Sequence, residues 1–184
     1  MVFLIVIVSL LVILTAFVLS VYNTLIRMRN NVDEGFSTMD VYLKKRYDLI
    51  PNLVATVKGY ATHEKETLEK VISARNMAMN STSPEEKIAN ENILSGTLKS
   101  LFALSENYPN LKADTQFIEL QNSLNNVESD IANSRKYYNG VVKQYNIKRE
   151  VFPSNIVANI FKFVKKPLFE VDNTEERKNV KVEF

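Results

Sequence analysis

The chain has 184 residues, 46% of them hydrophobic and 24% charged, which is room for one ordinary domain plus an anchor and excludes wholesale disorder. Its 23 basic and 21 acidic residues leave a net charge of +2, too small and too mixed to predict a nucleic-acid-binding face. Zero cysteines and a single histidine, His63, exclude disulfides, thiolate metal sites, a Cys nucleophile and any centre needing two imidazoles.

Every charged side chain lies at or beyond Arg27. Before it, Val2 to Tyr22 form an apolar run interrupted only by Ser9, Thr15 and Ser20. Roughly 20 residues at about 1.5 Å rise cover the hydrocarbon core of a bilayer. A cleaved signal peptide would have a basic start, a shorter apolar core and a small-x-small cleavage site, so the run is read as a permanent anchor contacting lipid through residues 2–22. Arg27 and Arg29, followed by Lys44, Lys45 and Arg46, predict a single-pass membrane protein with a short N-terminus outside and the main domain cytoplasmic.

After the anchor, apolar residues recur at helical spacing. Leu25, Val32, Phe36, Met39, Leu43 and Ile50 predict a first helix continuous with the membrane helix and ending near Lys44-Lys45-Arg46, whose charges suit the negative end of a helix dipole. Asp48 is the expected cap of a second helix, with Pro51 in its first turn and a stripe from Leu53 through Ile72 toward Ala78. Ser83-Pro84-Glu85-Glu86 is a capping box opening a third helix with Ile88, Leu94, Leu98 and Leu101, closed near Pro109. The fourth helix carries Phe117, Leu120, Leu124, Val127, Ile131, Tyr138, Val141 and Tyr145, its phase unbroken across Asn139-Gly140. After Pro153, a short helix capped by Ser154 runs from Asn155 to Phe163, and an extended end from Val180 to Phe184 follows. The fold class is therefore all-α: an N-terminal transmembrane helix continuing into an antiparallel up-and-down four-helix bundle, with a short C-terminal helix and extended tail. The expected division is an anchor at 1–26, a helical bundle at 27–153, and a C-terminal helix and tail at 154–184 packing on the bundle. Gly35, Gly59, Gly96 and Gly140 all fall within helices, and close approach of neighbouring backbones is the reading given to them.

Few residues suggest chemistry. His63-Glu64 is half of a zinc-protease motif, but position 67 is Thr, and no phosphate-cradling glycine loop or nucleophile elbow appears. No catalytic, metal or cofactor-binding residue is expected, and no small-molecule substrate. Glu64 and Arg75 continue the apolar stripe of the second helix, and a charge carried into a packed face must be paired. Arg46 and Glu128 are the expected partners. With Asp48, these make five candidate polar or ion-pair positions: Arg46, Asp48, Glu64, Arg75 and Glu128. A ligand-binding polar groove near Glu64 is the alternative. In the tail, Ile156, Ile160, Phe161 and Phe163 stand among Lys162, Lys165 and Lys166; folding back over the bundle is expected, and an anionic membrane face is the alternative.

The blocks Lys44-Lys45-Arg46-Tyr47-Asp48-Leu49-Ile50-Pro51-Asn52-Leu53-Val54, Val57-Lys58-Gly59-Tyr60-Ala61, His63-Glu64-Lys65-Glu66, Glu106-Asn107-Tyr108-Pro109-Asn110-Leu111 and Phe152-Pro153-Ser154-Asn155 resemble the LemA family of bacterial membrane proteins. The resemblance implies a single-pass protein with a helical-bundle domain and no established enzymatic activity. It also marks departures in the tail, where Lys162 and Leu168 stand for a more typical glycine and tyrosine, and Val180 for a proline. Together these readings predict a membrane-anchored, non-enzymatic scaffold or adaptor of the cell envelope, working as a homo-oligomer or with other envelope proteins; a ligand- or stress-sensing bundle is the alternative.

Overall fold

A computed structural model describes residues 1–61 and 63–170; the expected extended end from Val180 to Phe184 lies outside the described residues. Among those described there are six helices and no strand: α1 Val2–Tyr60, α2 Lys65–Met79, α3 Pro84–Ser105, α4 Pro109–Lys112, α5 Thr115–Glu150 and α6 Ser154–Ile160. The chain divides into two compact units. One comprises Met1–Val41 with Ile131–Leu168; the other comprises Tyr42–Asp130 with Phe169–Phe184, described through Glu170.

α1 is longer than the sequence predicts. No boundary falls at Arg46, Asp48 caps nothing and is exposed, and Pro51 lies inside the helix. Proline has no N–H for the carbonyl four residues back, which is that of Tyr47. Arg75 supplies the missing donor from α2, its Nε lying 2.7 Å from the Tyr47 oxygen. The break comes after Tyr60 instead, so the predicted second helix is split, and α2 starts at Lys65 with no side-chain cap on Glu64. Two long-range hydrogen bonds fix this turn. Tyr60 donates to Asp114 at 2.8 Å, and Tyr108 donates to Glu64 at 3.0 Å.

α3 opens as its sequence dictates. The Ser83 hydroxyl accepts from the Glu86 N–H at 3.2 Å, and Pro84 occupies the first turn. The Glu86 carboxylate accepts from the Thr82 N–H at 2.9 Å. α2 and α3 pack on each other through Leu68, Val71, Ala74 and Ala78 on one side and Ile88, Leu94, Leu98 and Leu101 on the other. α5 begins where Asp114 accepts from the Phe117 N–H at 2.8 Å, and it runs unbroken through Asn139-Gly140. Its buried stripe passes through Val142 rather than Val141, stepping by four and then three between Tyr138 and Tyr145.

In the first unit, the first part of α1 is bare. Its apolar side chains from Val2 to Leu14 are exposed on every side of the helix, and the Ser9 and Thr15 hydroxyls bond back to the Val6 and Leu11 carbonyls at 2.8 Å. Further along, Gly35 meets α5: a Cβ there would sit 3.3 Å from the Tyr137 ring and 3.5 Å from the Tyr138 backbone. Close approach explains this glycine and not the other three. Gly59, Gly96 and Gly140 have nothing within 4 Å of an added Cβ and no positive φ. Gly96→Ala and Gly140→Ala should therefore each stabilise the protein by about 0.5–1 kcal/mol, by reducing backbone freedom in the unfolded chain. Gly35→Ala should lack that gain. Denaturant midpoints of the three variants in one detergent check the contrast.

The short last helix, expected at Asn155 to Phe163, is α6, and it stops at Ile160. Ser154 acts differently from a cap: its hydroxyl donates back to the Lys148 and Val151 carbonyls at 2.6 and 3.0 Å. The helix closes in a Schellman turn, with Phe163 N–H on the Ala158 oxygen at 2.9 Å and Lys162 N–H on the Asn159 oxygen at 3.2 Å. This turn puts Lys162 at φ 55, the left-handed conformation that glycine adopts without a Cβ penalty. Lys162→Gly should raise stability by about 1 kcal/mol, read as a shift of the unfolding midpoint, because the exposed lysine gives up little packing there.

Candidate functional site

The densest polar cluster of the second unit surrounds Arg46. Its position on α1 follows from spacing: Leu43, Arg46, Tyr47, Ile50 and Leu53 share one buried stripe. The guanidinium is fully buried. Its Nη2 pairs with Glu91 Oε2 on α3, and its Nη1 reaches Glu128 Oε1 on α5 at 2.7 Å and Ser95 Oγ at 3.0 Å. The other Glu91 oxygen accepts from the Tyr47 hydroxyl, so both of its oxygens are engaged. Arg75, holding the Tyr47 carbonyl, joins a second cation to the same residue. Arg46 thus pairs with one fully buried glutamate, Glu91, and with a second, Glu128, that is 38% exposed. Such a pair contributes little net stability against an apolar replacement, but losing one member leaves a buried charge uncompensated.

The five predicted positions are distributed unevenly. Arg46 and Glu128 meet each other directly. Arg75 is bound to a backbone carbonyl and to Asn76 rather than to a carboxylate. Glu64 is partnered by the Tyr108 hydroxyl rather than by an arginine, and Asp48 is exposed. Glu91 and Tyr47 were missed, although the sequence carried a signal. Glu91 falls three residues after Ile88 and three before Leu94, squarely on the apolar stripe of α3. His63 is exposed, and no cluster of three metal-ligating side chains occurs among the described residues.

The hydrogen bonds at the turn shift both tyrosines and Asp114 in the expected directions. Tyr108 titrates above its ordinary value because its hydroxyl is bound to the Glu64 carboxylate, and Tyr60 does so because of Asp114. Asp114 is held below the usual carboxylate range, first by the Phe117 N–H and then by the Tyr60 hydroxyl.

Beside the cluster lies an open groove of about 930 Å³. Val54, Ala61, Leu68 and Ile72 supply its apolar surface, Lys58, Lys65, Glu69 and Glu86 its charged lining, and Asn76 and Asn90 follow or precede Arg75 and Glu91 in sequence. Asn90 is itself held by the Met77 carbonyl and the Ser81 hydroxyl, at 3.3 and 3.0 Å. Met77, which also lines the groove, is exposed and unbranched, the side chain best able to adapt to a docked surface. An apolar trough bordered by two lysines and two glutamates has the make-up of a surface that takes a docked helix or an apolar small molecule.

The profile of the LemA family matches residues 35–184, a span that holds both the Arg46 cluster and the groove. Among characterised sequences, Protein LemA of Metamycoplasma hominis is 26% identical over 157 residues, covering 83% of this chain and 70% of that protein. On the breadth of the profile match, the chain belongs to the LemA family.

Proposed function

We propose that this protein is a membrane-anchored, non-enzymatic helical scaffold of the bacterial cell envelope. In this reading α1 crosses the bilayer through Val2 to Tyr22. An α-helix apolar on every face is stable when buried in a core or in lipid, and the exposure of Phe3, Leu4 and Ile13 leaves lipid. In the same reading the residues after the span are cytoplasmic, which Arg27 and Arg29 support through the positive-inside rule. Residues Tyr42 to Tyr60, α2, α3 and the start of α5 form an up-and-down four-helix bundle, a reading supported by the short α2–α3 connection and by Arg46 reaching both α3 and α5.

The groove carries the functional reading. A helical segment of a partner, either a second copy or another envelope protein, docks its apolar face on Leu68, Ile72 and Met77. A photo-crosslinking residue at Met77 in intact membranes should yield a discrete protein adduct, which Ile72→Arg should abolish while the fold is retained. A chain that stays monomeric and adduct-free overturns the scaffold. The groove's volume also lies within the range of small-molecule sites, which favours a ligand sensor as the second reading. That reading predicts thermal stabilisation by an apolar ligand without any protein adduct.

A further inference from the structure

α6 buries one face and leaves the other bare. Ser154, Val157 and Ala158 are buried at helical spacing, whereas Ile156 and Ile160, one turn apart, are 52% and 68% exposed. Phe152 at 79%, Phe161 at 48% and Val164 at 66% extend the same apolar surface to either side. This surface is built on a fixed platform. The Schellman turn closes α6, and the chain after it is strapped to α5 at its backbone. Arg149 donates to the Phe163 carbonyl at 2.8 Å, Tyr145 to that of Val164 at 2.8 Å, and Tyr138 to that of Pro167 at 2.9 Å. Asn146 bonds both the N–H and the carbonyl of Lys166, at 3.0 and 2.9 Å.

Its position supplies the second observation. Tyr22, the last residue of the apolar run, stacks with Phe161 at a ring separation of 4.8 Å and with Phe163 at 5.8 Å, and Arg29 lies over the Phe163 ring at 5.8 Å. At this level α1 passes from bare to covered: Leu14 and Leu19 are exposed, while Val21 and Leu25 are buried. The exposed face of α6 is therefore continuous with the exposed face of the span. Lys162 and Lys165 stand exposed among its apolar residues, although Lys165 is paired with Glu150 at 3.3 Å.

We propose that α6 and its flanks form an interfacial foot, lying at the headgroup–acyl boundary of the same bilayer that α1 crosses. Phe152, Ile156, Ile160 and Phe161 enter the acyl boundary, and Lys162 and Lys165 reach anionic headgroups by extending their stems along the apolar surface. The foot fixes the height and rotation of α1 at its exit from the membrane. The proposal rests on the reading that α1 crosses the bilayer, and the test separates the two.

The chain contains no tryptophan, so single tryptophans report without background. The full chain carrying Ile160→Trp, Phe152→Trp or Leu11→Trp is reconstituted in phosphatidylcholine–phosphatidylglycerol vesicles brominated near the headgroup or deep in the acyl chain. Leu11→Trp should be quenched more by the deep bromines, and Ile160→Trp and Phe152→Trp at least about twofold more by the shallow ones. Phe152→Trp exchanges one exposed aromatic for another and guards against a folding defect in the Ile160 variant. Deep quenching at Leu11 with no lipid quenching at positions 160 and 152 overturns the foot and leaves the crossing intact, whether water or protein covers α6. Absence of deep quenching at Leu11 overturns the crossing, and the proposal with it.

Discussion

Arg46→Ala should destabilise the protein by about 3–5 kcal/mol, the cost of leaving a fully buried carboxylate without its cation. Glu91 has no exposed surface, and after the substitution it would keep only the Tyr47 hydroxyl. That is a large share of the roughly 5–15 kcal/mol that holds an ordinary domain together. Glu128→Gln should cost less than about 1 kcal/mol, because that side chain is 38% exposed and water screens its charge. The informative variant removes the fully buried part of the cluster. Arg46→Met, Tyr47→Phe and Glu91→Met together leave no fully buried charge unpaired; Glu128 and Ser95 lose Arg46 but are partly exposed to water, so most of the loss should be recovered. Urea unfolding in one detergent, followed by far-UV circular dichroism, measures all three. An Arg46→Ala shift below about 1 kcal/mol would contradict the uncompensated charge. If the cluster sets helix register, the triple variant regains stability yet loses the Met77 crosslink.

How much of this could be read in the sequence depended on the range of the interaction that decides each feature. Local signals transferred well. Ser83 and Pro84 open α3 because a hydroxyl cap and a proline in the first turn act within four residues. The continuity of α5 across Gly140 was legible because a stripe that keeps phase outweighs one glycine. Lys162 stands out in the sequence only as a replacement for a more typical glycine; its left-handed backbone, which explains that glycine, was not legible there. Features set by distant partners did not show. The turn after Tyr60 has no proline and no capping side chain; Asp114 and Tyr108 hold it from far along the chain. Arg46 was read as a helix end because three adjacent positive charges suit a C-terminus, whereas its real partners lie on α3 and α5. Of the cluster, the sequence yielded the arginines and Glu128 and missed Glu91, although a carboxylate in the middle of a leucine stripe is itself a sign of a buried partner.

The same distinction governs the proline in the middle of α1. Pro51 looks like a helix start because proline is harmless in a first turn and costs about 3 kcal/mol in a helix interior. The interior position is tolerated here because Arg75 replaces the donor that proline lacks. Arg75→Met should therefore destabilise the protein by about 1–3 kcal/mol, by removing that donor from the Tyr47 carbonyl. Arg75→Met with Pro51→Ala should be markedly more stable than Arg75→Met alone, since an alanine N–H restores the intrahelical bond to the same oxygen. Pro51→Ala in the parent should change stability less than it does in the Arg75→Met background, because there two donors compete for one carbonyl. A double-mutant cycle isolates the coupling, expected at about 1 kcal/mol or more. Additive effects would mean that arginine and proline act independently and that something else accommodates the proline. A positive coupling ties α2 to α1 through one guanidinium at the residue whose hydroxyl also holds Glu91. In that case the arginine on α2 and the arginine on α1 are two ends of one device. It keeps three helices in register beside the groove that a partner would occupy.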